Sequence, residues 1–119
     1  MTNIPILSDY DIKNNPNKYN PEIIEWNIKN SFLSLRNLVK YQTLTPYICA
    51  KYVVFGGRKG KYADCSEDSW IDTYAILRLQ PHITLNEMIN AHKIADIEDQ
   101  EEEENELMFI EDKLSKIFL

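Results

Sequence analysis

One run limits what this chain can fold into more than any other: Asp96-Ile97-Glu98-Asp99-Gln100-Glu101-Glu102-Glu103-Glu104-Asn105-Glu106, in which eight of eleven residues are acidic. The chain carries 19 acids and 13 bases, a net charge of −6. Without the run, 11 acids face 13 bases and the balance is +2. The acidity therefore belongs to one segment. On a helix, successive residues turn by about 100°, so four consecutive glutamates point all round it. No face of such a segment can enter an apolar core, because a buried unpaired carboxylate is too costly. The run must meet water or another molecule.

From His82 to Leu119 there is neither Gly nor Pro. Thr84-x-x-Glu87 is a capping box, in which each side chain accepts from the other residue's backbone N–H. Leu85, Met88, Ile89 and Ala95 form a stripe behind it. One helix from there to the C-terminus, about 52 Å long, is permitted. The like-charge pairs Glu98/Glu102, Asp99/Glu103 and Glu102/Glu106 oppose it by about 0.2–0.5 kcal/mol each. The expectation is a solvated hinge or exposed rod over 98–106, then an amphipathic helix over 107–119 with Leu107, Ile110, Leu114, Ile117 and Phe118 on one face.

The rest of the chain reads as an irregular N-terminal arm over 1–20 and a globular helical body over 21–97. The arm is rich in Asn and Pro, which favour turns. Asn20-Pro21 caps and opens a helix, with Glu22 and Glu25 near its positive end. The recurrence of Ile24, Ile28, Leu35, Leu38 and Val39 carries that helix to about residue 41. Thr45-Pro46 opens another element. It reads as a helix by its start signal, or as a hairpin around 47–65 by its β-branched and aromatic content. Ser66 caps a further helix that ends before Pro81, with a strand as the alternative because Ile71, Ala75, Leu77 and Leu79 also alternate. With 44 % hydrophobic residues in 119, one core is attainable. The fold expected is mainly α, a small single-domain bundle of four to five helices, with α+β as the alternative if the hairpin forms.

The chemistry is thin. No nucleophile-elbow, zincin, Walker or dinucleotide-binding pattern occurs. Cys49 and Cys65 make neither a disulfide framework nor a zinc pattern. His92 leans toward the apolar face of its helix, with Asp96 one turn on; it reads as a packed histidine. His82 lies in a connector. No enzyme, no cofactor and no metal are expected. The acidic run lacks the Gly and alternating Asp of a calcium loop. Gly56-Gly57-Arg58-Lys59-Gly60-Lys61-Tyr62 holds the densest bases. Arg58, Lys59 and Lys61 could contact phosphate or nucleic acid, could form a plain polar turn, or could meet the acidic run of the same or a neighbouring chain.

These features point to a small non-enzymatic acidic protein that binds another macromolecule, either a basic protein partner or its own copy. The contact residues would be Asp96, Glu98, Asp99, Glu101, Glu102, Glu103, Glu104, Glu106, Leu107, Ile110 and Leu114. The acids would steer association and the apolar residues would then be buried. A nucleic-acid binder using the 56–62 loop is the first alternative, and a virion, assembly or scaffold protein the second. Size, local acidity and a skew toward Asn, Ile and Lys suggest a phage or mobile-element accessory protein by analogy. No apolar stretch reaches the roughly 20 residues needed to span a membrane, and no basic start precedes an apolar run. A cytoplasmic protein is expected.

Overall fold

The computed structural model describes residues 4–58 and 71–118, with side chains to residue 110. Among these residues the chain is mainly helical and holds no strand. The segments are α1 (Asp9–Asn14), α2 (Pro21–Asn30), α3 (Leu35–Tyr41), α4 (Pro46–Ile48), α5 (Thr73–Leu79) and α6 (Leu85–Phe118). α4 runs on into a π turn at Cys49–Val53 and a 3₁₀ turn at Val54–Gly56.

Before α6 the segments are shorter and more numerous than the hydrophobic pattern suggests, because short polar side chains restart the helix. The stretch read as one helix over 21–41 is two. α2 ends at Ser31, and Ser34 caps α3 by accepting from the Asn37 N–H at 3.2 Å. The break lets Leu33 turn inward while Phe32 stays out. The arm read as irregular holds α1, opened by a Ser8/Asp11 capping box. Thr45 caps α4 through the Ile48 N–H at 3.2 Å, so residues 46–56 follow their start signal and not their β-forming composition. The proposed hairpin return and the Ser66 start lie outside the described residues. α5 is capped by Asp72, which accepts from the Ala75 N–H at 2.8 Å.

The core gathers Ile12, Ile24, Ile28, Leu38, Val39, Ile48, Val53, Ile76 and Met88 from every segment. Three buried amides run through it. Asn27 accepts from the Leu7 N–H at 2.8 Å and donates to the Pro5 carbonyl at 3.0 Å, which ties the N-terminal chain to α2. Gln42 donates to the Ile12 and Asn15 carbonyls at 2.9 and 2.8 Å. Gln80 donates to the Val39 and Gln42 carbonyls at 2.6 and 2.8 Å and accepts from the Leu44 N–H at 2.9 Å. A buried amide is costly unless its groups are answered. Gln42 and Gln80 answer main-chain atoms left over where a helix ends, and Asn27 answers those of the extended N-terminal chain.

α6 is unbroken over 34 residues, about 51 Å, in a molecule whose longest dimension is 59 Å. Met88, Ala91 and Ala95 bury its inner half against α4 and the π turn. Small alanines let the backbones approach closely. From Gln100 to Ile110 every residue is exposed. Of the hinge and the rod, the structure holds the rod. Glutamate is a good helix former, and two of the three like-charge pairs counted against continuity start at Glu98 and Asp99, which are answered by bases of the body.

Candidate functional site

Two basic side chains hold α6 where it leaves the body. The first, Lys51, sits on the π turn one helical turn after Tyr47. Its ammonium pairs with Glu98 of α6 and donates to the Tyr47 hydroxyl at 2.9 Å. Tyr47 donates to the same Glu98 oxygen at 2.7 Å. Lys51 also lies 5.4 Å from the Tyr47 ring centre, a cation–π contact. Burial works against the charged ammonium, but the hydrogen bonds it donates to Glu98 and Tyr47 outweigh it and hold Lys51 above its usual range. The same Lys51 contact, with Tyr47 behind it, holds Glu98 below the usual carboxylate range.

The second, Arg58, reaches α6 because the backbone before it is forced round. Phe55, Gly56 and Gly57 have φ of 54°, 82° and 92°. The π turn ends there, and the Arg58 N–H returns to the Lys51 carbonyl at 3.1 Å. At Gly57 a Cβ would stand 2.9 Å from the Tyr52 carbonyl oxygen, so both the conformation and the space require glycine. Arg58 Nη1 pairs with Asp96 and, at 3.1 Å, with Asp99. Nη2 donates to His92 Nδ1 at 3.1 Å and to the His92 carbonyl at 3.3 Å. Nε donates to the Ala50 carbonyl at 3.3 Å.

An arginine always donates, so His92 Nδ1 accepts and its Nε2 carries the proton, 3.4 Å from Thr73 Oγ1. Burial, and then the Arg58 charge, push the imidazole below its usual range against the opposing pull of Asp96. His92 is thus a half-buried neutral group that completes the Arg58 shell. Asp96, which sequence spacing offered as its hydrogen-bond partner, is bound to Arg58. His82 lies in the connector before α6, and its Nε2 donates to the Leu44 carbonyl at 2.7 Å.

The clamps divide the acidic run. Asp96, Glu98 and Asp99 are paired within the chain, three carboxylates to the two bases Lys51 and Arg58, and in this they differ from the acids farther along the helix. Glu101, Glu103, Glu104 and Glu106 are exposed on the free part of α6 and make no ion pair among the described residues. Glu102 is exposed as well. Beyond them Leu107, Met108, Phe109 and Ile110 are between 50 and 67 % exposed. Leu114 continues the helix; its side chain, like Lys59 and Lys61, lies outside what the structure describes. Arg58 is spent on the acidic run of its own chain, the self-contact arrangement, and its guanidinium faces protein acceptors.

Sequence reasoning passed over four participants. Lys51 and Tyr47 carried one visible signal, their i, i+4 spacing. Met108 and Phe109 were set aside because the helix was read for a single stripe, although four consecutive apolar residues must cover more than one face.

By fold and site this is a mainly helical protein with a clamped, projecting, acidic helix that carries exposed apolar residues from Leu107 to Ile110. Comparison with protein-family models, with curated proteins and with solved structures gives no match. No helix among the described residues is long and apolar enough to cross a membrane.

Proposed function

We propose that this is a non-enzymatic protein that works by binding another protein chain through the outer half of α6. The observation that carries this is the exposure of Leu107, Met108, Phe109 and Ile110 on the outer half of α6. Exposed contiguous apolar surface is uncommon on a monomer and marks contact sites. An amphipathic helix held out from a body is a common way to present one. The two clamps support the reading, because they hold the helix at a fixed direction and so lower the ordering cost of binding. Glu101, Glu103, Glu104 and Glu106 would steer approach and orient the partner. An accessory or assembly role in the cytoplasm of a cell or of an infected host fits such a device.

The test is a photo-crosslinking residue placed at Met108 in cells that make the protein. Discrete adducts, lost when Leu107→Asp and Ile110→Asp are added, are expected. An absence of adducts at every position from Leu107 to Ile110 overturns the reading. A nucleic-acid role would instead show as adducts with DNA or RNA at Lys59 or Lys61.

A further inference from the structure

We infer that the Arg58 clamp is an acid-operated latch: a second proton on the His92 ring makes the guanidinium let go of His92 and Asp96 and passes Asp96 to the imidazole, while the Lys51–Glu98 clamp stays closed. The inference does not depend on what α6 binds. Arg58 Nη2 stands 3.1 Å from His92 Nδ1. A guanidinium carries N–H groups and no acceptor, so that bond exists only while the Nδ1 lone pair is free. Nε2 already holds the one proton of the neutral ring, toward Thr73 Oγ1 at 3.4 Å. A second proton must therefore go to Nδ1. It sets N–H against N–H and brings two positive charges together on side chains that are largely shielded from water. Asp96 lies one turn beyond His92 on the same helix, where a carboxylate can take the imidazolium. Its side chain is 67 % exposed and has room to turn. Arg58 then keeps Asp99, 3.1 Å from Nη1, and the Ala50 carbonyl, 3.3 Å from Nε.

Among the described residues, the charged groups on the His92 side of α6 are Arg58 from the turn, Asp96 and Asp99 from α6 itself, and Asp72 at the start of α5, whose carboxylate accepts from the Ala75 N–H. Burial and the Arg58 charge oppose the imidazolium, and Asp96 favours it. The latch is therefore closed at neutral pH. On the other flank, α4 and the π turn pack against α6 and bring Tyr47, Cys49 and Lys51. Those three groups are held above their ordinary values and Glu98 below its own. That flank keeps its charges while His92 titrates. The turn that carries Arg58 is strained as well. Phe55 is a bulky residue at φ 54° and is 62 % exposed, so burial offsets little of the cost. Release from His92 and Asp96 gives this turn a way to relax.

The test is an NMR titration of the whole protein from about pH 7.5 to about pH 5. Ring nitrogen shifts should place the His92 proton on Nε2 at the neutral end. As the second proton arrives, the Arg58 side-chain N–H groups should exchange with water about ten-fold faster than in His92→Gln at the same pH. The glutamine oxygen can accept from Nη2 at every pH, so that variant should show no such step. Asp96→Asn should lower the His92 midpoint, because the carboxylate that receives the imidazolium is gone. The Glu98 carboxyl signal should stay constant across the step. Should His92→Gln fail to fold, the wild-type protein decides alone, since the Arg58 step and the His92 titration must share a midpoint to within about 0.3 pH units. Arg58 exchange that shows no step while His92 titrates overturns the inference. So does a neutral His92 with its proton on Nδ1, or an unchanged His92 midpoint in Asp96→Asn.

Discussion

Lys51 and Glu98, separated by 47 residues in sequence, meet at the point where α6 leaves the body, and Tyr47 binds both. The Lys51 side chain is 14 % exposed and that of Glu98 is 34 %. Removing the lysine leaves a carboxylate that water can still reach, so the loss is smaller than for a fully buried pair. Lys51→Met should lower unfolding free energy by about 1–2 kcal/mol, read from urea denaturation. Part of that loss should disappear in 1 M salt for the wild-type protein, since the pair is screened. A variant as stable as the parent would show that the clamp orients α6 without stabilising it.

The amide of Gln80 carries more. It answers two carbonyls and one N–H at the ends of α3 and in the link to α4, all within the core. Gln80→Leu keeps the volume and removes all three bonds. Each orphaned buried group costs about 1–3 kcal/mol, so a loss of roughly 3 kcal/mol or more is expected in the same denaturation assay. A loss below 1 kcal/mol would mean that water enters the site.

Acid should loosen the clamps in two stages with the same sign. His92 and Glu98 both have folded values held below the ordinary ones of 6.5 and 4.5. A depressed group contributes stability above its unfolded value and loses it as pH falls through the folded one. Stability should therefore decline first below about pH 6.5, where the unfolded chain binds a proton at His92 more readily, and again below about pH 4.5 at Glu98. His92→Gln should flatten the first stage and Glu98→Gln the second. Urea midpoints measured from neutral pH to about pH 3.5 check this. A first stage that persists in His92→Gln assigns it to another group.

What the sequence made legible was the punctuation. Asn20-Pro21, Thr45-Pro46 and Thr84-x-x-Glu87 each open a helix in the structure, because a cap is a local bond between near neighbours. The same logic was available at Ser8-x-x-Asp11 and at Ser34, yet it was outweighed there by Pro and Asn in the arm and by an apolar stripe that runs across the break. The continuity of α6 could not be read in the same way. It depends on Lys51 and Arg58, which lie about 40 residues upstream and reach the acids only after the π turn and a left-handed Phe55-Gly56-Gly57 turn have formed. Charge counted along the sequence gave repulsion at Glu98 and Asp99; charge in space gave two clamps. The site was therefore half visible. The glutamates and Leu107 and Ile110 were named from spacing, while the residues that fix their direction were not.

Gly57 is the joint on which that direction depends. Its φ is +92°, and a Cβ there would meet the Tyr52 carbonyl oxygen at 2.9 Å. Gly57→Ala must therefore either strain the backbone or move it away from the π turn, at a cost of about 1–3 kcal/mol. Moving it swings Arg58 off His92, Asp96 and Asp99. The expected result is a modest fall in overall stability with a larger, local rise in amide hydrogen exchange along α6 from His92 to Asp99, while α2 and α3 keep their protection. Arg58→Ala should reproduce the exchange pattern without the backbone strain. If Gly57→Ala raises exchange evenly across all helices, the turn serves the core as a whole. If only the His92 to Asp99 stretch responds, the turn exists to aim one arginine at α6.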